Sequence, residues 1–204
     1  RDLVRSRGLG DVYKRQVIMI VSAFAALIAM GGAPRASIQE GRGNVRESER
    51  IMGNCFSLLV MLSLVLTVVF RLFAPMLLPF FGASENTIGY AVSYLNIYSL
   101  GTIFVQITLG MNAYITAQGF TTISMKTVLI GAILNTILDP IFIFAFGLGV
   151  QGAALATIIS QAVSAIWVLR FLLGPKTKWR LRKENLRPQA KVVLPCLCLL
   201  YTSP

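Results

Sequence analysis

One acid stands inside the long apolar stretches of this 204-residue chain: Asp139, in the run NTILDPIFIFAFGLGVQGAALATIISQ at residues 135–161. Pro140 follows it at once, and Gly147-Leu148-Gly149 then turns the chain back into a second apolar segment. Asp139 lies eight residues before Gly147, and Thr157 lies eight after Gly149; Asn135 and Gln161 lie twelve out on the two sides. With equal rise per residue, an antiparallel helix pair sets Asp139 at the depth of Thr157 and Asn135 at that of Gln161. Asn135 and Asp139 are four apart and share one helix face. The spacing therefore predicts a small polar cluster around one acid, roughly 12 Å from the turn at about 1.5 Å per residue.

Three uses suit such an acid. It can be structural, staying protonated and bonding the backbone around a kink at Pro140. It can be one half of an intramembrane aspartyl pair, but that chemistry needs two carboxylates. The other aspartates, Asp2 and Asp11, lie outside the apolar segments, and no glutamate lies within one. There is no histidine, the commonest general base, so the sequence reads as a non-enzyme. The third use is a cation or proton site. A charge in a bilayer costs about 2.5–3.5 kcal/mol on insertion scales and marks function by default. Asp139 would carry the charge, and Asn135, Thr157 and Gln161 would offer oxygen to it. Pro140 removes one helix hydrogen bond and leaves the Thr136 carbonyl without its usual donor. A bound cation changes the local charge by one unit, which can bend or straighten the Pro140 helix. No other metal site is expected: Cys55, Cys196 and Cys198 have neither zinc nor disulfide spacing.

The elements that must position this group are membrane spans. The chain is 55% hydrophobic and 13% charged, against about 25% charged in soluble domains. Five segments approach or exceed the about 20 residues that cross a bilayer, near 17–33, 52–74, 90–112, 123–146 and 150–173. The fold class is an all-α integral membrane protein in the lipid bilayer. Arg35, Arg42, Arg46 and Arg50 lie between the first two spans, Lys126 starts the fourth, and seven Lys/Arg from Lys176 to Lys191 follow the fifth. With alternating spans all three positions fall on one side; of the connections on the other side, that near 72–90 has only Arg71 and Glu85 and the 147–150 turn has no charge. Basic connections stay in the cytoplasm. Links 34–50 and 174–191 are expected there, the protein in the cell membrane, and the net charge of +11 is topology rather than a nucleic-acid surface.

In chain order, residues 1–16 put five Lys/Arg on the wrong side and read as a non-native leader; 189–204 reads as a truncated or foreign tail. Pro34 is expected to end the first helix, and Pro75, Pro79 and Gly82 to break the second into an outer loop where Ser84 caps a turn. Tyr90, Tyr94 and Tyr98 repeat every four residues. They form either an interfacial belt or, with Gln106, the lining of a cavity for flat cationic molecules. Asn96 and Asn112 add polar groups to that helix, and Trp179 is expected at interface depth.

NTILDPIFIF followed by GLGVQGAALATIISQ resembles the amino-terminal lobe of the multidrug and toxic compound extrusion (MATE) family. GGAPRASIQEGRGN and YITAQGF resemble that family's helix-linking segments, and the resemblance covers about residues 17–188. It implies a twelve-helix antiporter of two six-helix lobes, with the five spans here as the second to sixth helices of the first lobe. A first helix bearing a further carboxylate, and the second lobe, would lie outside this stretch. The resemblance implies export of organic cations and other amphipathic drugs in exchange for sodium or protons, with no further cofactor. It places the lobe's site at Asn135, Asp139 and Thr157; Gln161 rests on counting alone. Two other readings compete. A lipid-linked oligosaccharide flippase shares the architecture but puts basic residues in its cavity, and no Lys or Arg lies mid-span here. A non-transporting scaffold subunit would make no use of Asp139.

Overall fold

The computed structural model describes residues 2–80 and 88–198, with side chains from Gln16 onward save a few. The order is α1 (Asp2–Gly41), α2 (Val45–Phe80), α3 (Ile88–Ala117), α4 (Thr121–Pro140), a π-helical turn (Ile141–Ala145), α5 (Gly149–Leu173), a 3-10 turn (Lys183–Leu186) and α6 (Ala190–Cys198). The described residues contain no strand, and five helices are long and apolar enough to span a membrane. The backbone of α1 is helical from Asp2, ahead of the span that starts near Gln16.

Helices in lipid gain nothing from hiding apolar surface, so they associate through close packing and polar contacts. Central α3 packs against α1, α2, α4 and α5. Glycines let the backbones approach: Gly110 of α3 sits against Leu59 of α2, and Gly101 against Ile158 of α5. A Cβ on Gly32 of α1 would lie 2.7 Å from the Cys55 sulfur, in the middle of the core with Tyr114 and Met111. Cys55 is thus a buried filler of that core. Thr67 Oγ1 donates to the Ser99 carbonyl at 2.8 Å and Gln106 Nε2 to the Val21 carbonyl at 3.0 Å, fastening α2 and α1 to α3.

Two expected breaks are absent. Pro34 lies inside α1, which continues to Gly41. Proline in a spanning helix is tolerated because the alternatives expose more backbone to lipid. The real stop is Gly43, at φ +78°. Asn44 then caps α2, its Oδ1 accepting from Glu47 N at 3.3 Å. Likewise α2 passes Pro75 and Pro79 and runs to Phe80. Residues 81–87, with the expected Gly82 break and Ser84 cap, lie outside the described residues.

The three charged connections meet at one end of the bundle, as alternating spans require. Lys178 Nζ reaches Glu40 at 3.3 Å, Arg182 Nε reaches Glu49 at 3.0 Å, and Thr177 Oγ1 donates to Gln118 Oε1 at 2.7 Å. Trp179 is not exposed to a lipid interface: it is fully buried in the protein core, because the segment after α5 folds back against the bundle. The packing makes a direct forecast. Gly32→Val overfills the α1–α2–α3 contact and lowers stability by about 1–3 kcal/mol, read as a lower thermal midpoint in detergent. Gly41→Ala, with nothing within 4 Å of the added carbon, leaves the stability within about 0.5 kcal/mol of the parent.

Candidate functional site

The α4–α5 hairpin closes through Gly147 and Gly149, both at positive φ (+65° and +53°), where a side chain would strain the backbone. Two close approaches fix its register. Gly131 of α4 is buried against Ser164 of α5, whose Oγ also lies 3.4 Å from the Thr127 carbonyl. Nearer the turn, Gly152 faces the Phe142 carbonyl, which a Cβ there would approach to 2.7 Å. Between these contacts lies the polar group.

Asn135 is its bridge. The Asn135 Nδ2 group lies 3.4 Å from Asp139 Oδ1 and 3.4 Å from Thr157 Oγ1. Thr157 Oγ1 donates in turn to the Ala153 carbonyl at 2.9 Å. All three side chains are half-buried. The structure thus brings Asn135, Asp139 and Thr157 together, but Asn135 pairs with Thr157 rather than with Gln161. A π turn with i→i+5 winding, at Ile141–Ala145, lies between this group and the bend. Phe146 N donates to the Ile141 carbonyl at 3.1 Å, closing that turn. Pro140 ends the regular α winding immediately before it, where the sequence placed a kink.

Gln161 lies about one turn beyond Thr157. Its carbonyl accepts from Thr108 Oγ1 of α3 at 3.3 Å, and its amide oxygen is buried with no hydrogen-bond partner among the described residues. The expected cavity lining at Tyr94, Tyr98 and Gln106 is corrected. Tyr94 and Tyr98 stack at 5.7 Å and 12° in a core shared with Val17, Val21, Leu66 and Phe70. Gln106 is fully buried and bonded to α1. The i,i+4 spacing gave one face correctly, but that face is turned to other helices. The side chain of Tyr90 lies outside the described residues.

Contacts of 3.4 Å are at the long limit for a hydrogen bond, so the three-residue group is loosely knit. A half-turn of the Asn135 amide replaces its donor with an oxygen. The group can then offer a carboxylate, an amide oxygen and a hydroxyl to one hard cation. Broken or unwound helix segments present oxygen to sodium or protons in other transporters. No cluster of three or more His, Cys, Asp and Glu exists among the described residues to suit a transition metal. The sequence did not reveal the π turn or the Gly131–Ser164 contact; the isolated small residues Gly131 and Gly152 were their only trace.

The fold and this group define an all-α, multi-pass membrane protein with a polar site inside one helical hairpin. The profile of the MatE family matches residues 14–141, and the chain belongs to that family. A multidrug export protein MepA of Staphylococcus haemolyticus (strain JCSC1435) is 31% identical over 153 residues, 75% of this chain and 34% of that protein. The chain therefore spans about a third of the length of that relative. Among solved structures, the inward-facing conformation of a multidrug resistance MATE family transporter of the MOP superfamily superposes with a TM-score of 0.87 at 22% identity, over 93% of this chain and 43% of that one. The outward-facing conformation of such a transporter gives 0.82 at 22% identity, over 93% of this chain and 42% of that one. These likenesses are of fold.

Hydrogen bonds between membrane helices average about 0.6 kcal/mol, and these are long. Asn135→Ala is therefore expected to cost no more than about 0.6 kcal/mol of folding stability. A double-mutant cycle with Thr157→Val, measured by unfolding in mixed micelles, should give a coupling of that size or less. A larger coupling would make the group a structural brace.

Proposed function

We infer that the full-length protein is a cation-coupled antiporter that exports organic cations and other amphipathic drugs. The chain contributes a large part of one lobe, and transport belongs to the whole protein. The observation that carries the reading is the Asn135–Asp139–Thr157 group in a chain of this family. That a relative of this sequence is named a multidrug export protein supports the substrate class.

The mechanism follows from charge. A sodium ion or proton at Asp139 neutralises the carboxylate within the apolar bundle, so the occupied and empty states differ by one unit of charge in a medium that disfavours charge. The Pro140–Ala145 segment lies directly beside the site and its α ladder is already interrupted. Each state of the site then favours a different set of that segment's bends, and cation binding shifts their populations. A drug leaves on one side when the cation fills the site from that side. Gln161 supplies a further oxygen one turn deeper, within reach if the cation moves along α5. The basic end, with links 34–50 and 174–191, faces the cytoplasm by the charge rule.

A flippase for lipid-linked oligosaccharides is the weaker reading. Its anionic substrate calls for basic residues in the cavity, and the Lys/Arg of this chain gather at the helix ends. In cells making the intact protein, Asp139→Asn should reduce efflux of a cationic dye to the level of cells without it, with unchanged membrane insertion. Efflux that survives the substitution would refute the site and favour a scaffold.

A further inference from the structure

The segment after α5 has the composition of a free basic linker, yet a run of its backbone is bonded to the bundle. Gln118, in the turn between α3 and α4, is 1% exposed. Its Oε1 accepts from Thr177 Oγ1 at 2.7 Å, Lys178 N at 2.9 Å and Trp179 N at 3.0 Å. Glu49 of α2 is 6% exposed. Its Oε1 accepts from Arg180 N at 3.0 Å and its Oε2 pairs with Arg182 Nε at 3.0 Å. Leu181 N donates to the Leu172 carbonyl of α5 at 3.1 Å. Four successive backbone N–H groups, 178 to 181, therefore end on three different elements.

Trp179 anchors the same stretch from its other face, fully buried in the core that holds Met111, Tyr114, Ile115 and Leu172. Farther on, Gln189 N donates to Asn54 Oδ1 at 2.6 Å, and Ser57 Oγ donates to the Leu186 carbonyl. A buried acceptor left without its donor suffers the full loss of its hydration. Glu49 and Gln118 thus need the segment as much as the segment needs them. The Arg182 head is more than half exposed, so its ion pair is the lesser part of the anchorage.

We propose that residues 177–189 are a fixed strap that ties the basic ends of α1, α2 and α5 to the α3–α4 turn in one body, with Glu49 and Gln118 as its anchors. Motion of the α4–α5 hairpin is then confined to the far end, at the π turn and the Gly147–Gly149 bend. The strap does not depend on the antiport reading.

Hydrogen exchange read by mass spectrometry on the detergent-solubilised protein tests it. In the parent, the amides of 178–181 remain protected long after an unstructured peptide would have exchanged. Glu49→Leu and Gln118→Leu abolish that protection while α3 and α5 keep theirs. Glu49→Gln and Gln118→Glu, which retain an acceptor oxygen, preserve it. Exchange of 178–181 in the parent at the rate of a free peptide overturns the proposal, as does protection that survives both leucine variants. Should those variants fail to fold, the parent measurement decides alone.

Discussion

A carboxylate in an apolar helix is tolerated only where other polar groups meet it, and that constraint organises the α4–α5 hairpin. Asp139 is met on its own helix by Asn135, one turn away, and through Asn135 by Thr157 across the hairpin. The meeting requires a register correct to within a turn. Gly131 against Ser164 and Gly152 against the Phe142 carbonyl set it, because a side chain at either glycine would push the helices apart. The glycine bend and the π turn then bring α5 back at the right depth. Chemistry here rests on the absence of side chains at a few positions as much as on the polar groups.

The remainder of the bundle obeys the same economy. No apolar driving force separates one lipid-facing helix from another, so α3 holds its neighbours by glycine contacts and by single hydrogen bonds to carbonyls. The two ends of the bundle differ. At the basic end, buried acceptors, ion pairs and Trp179 join α1, α2 and α5 to the α3–α4 turn. At the other, Phe144 and Phe146 are exposed. The polar group lies between the two, beside the interrupted winding.

Much of this was legible in the sequence because it depends on short-range periodicity. Span number, the shared end of the basic connections and the nearness of Asn135, Asp139 and Thr157 all follow from counting residues along helices. What was illegible depends on non-local partners. Pro34 and Pro75 read as breaks because proline disfavours helix in water; inside spans, alternatives that expose more backbone cost more. Tyr94 and Tyr98 declared a common face but not its direction, and that face meets α1 and α2. Trp179 read as interfacial because nothing near it announces that Gln118 and Glu49, far back in the chain, would draw it into the core. The π turn at Ile141–Ala145 went unread because composition does not encode it.

If one cation at Asp139 sets the intact protein's affinity for its cargo, titrating the purified protein with a cationic dye across a range of sodium concentrations and pH will show it most directly. Affinity is expected to weaken as one of the two cations fills the site, and this dependence to disappear in Asp139→Asn. Dye affinity indifferent to both sodium and pH in the parent protein would contradict it.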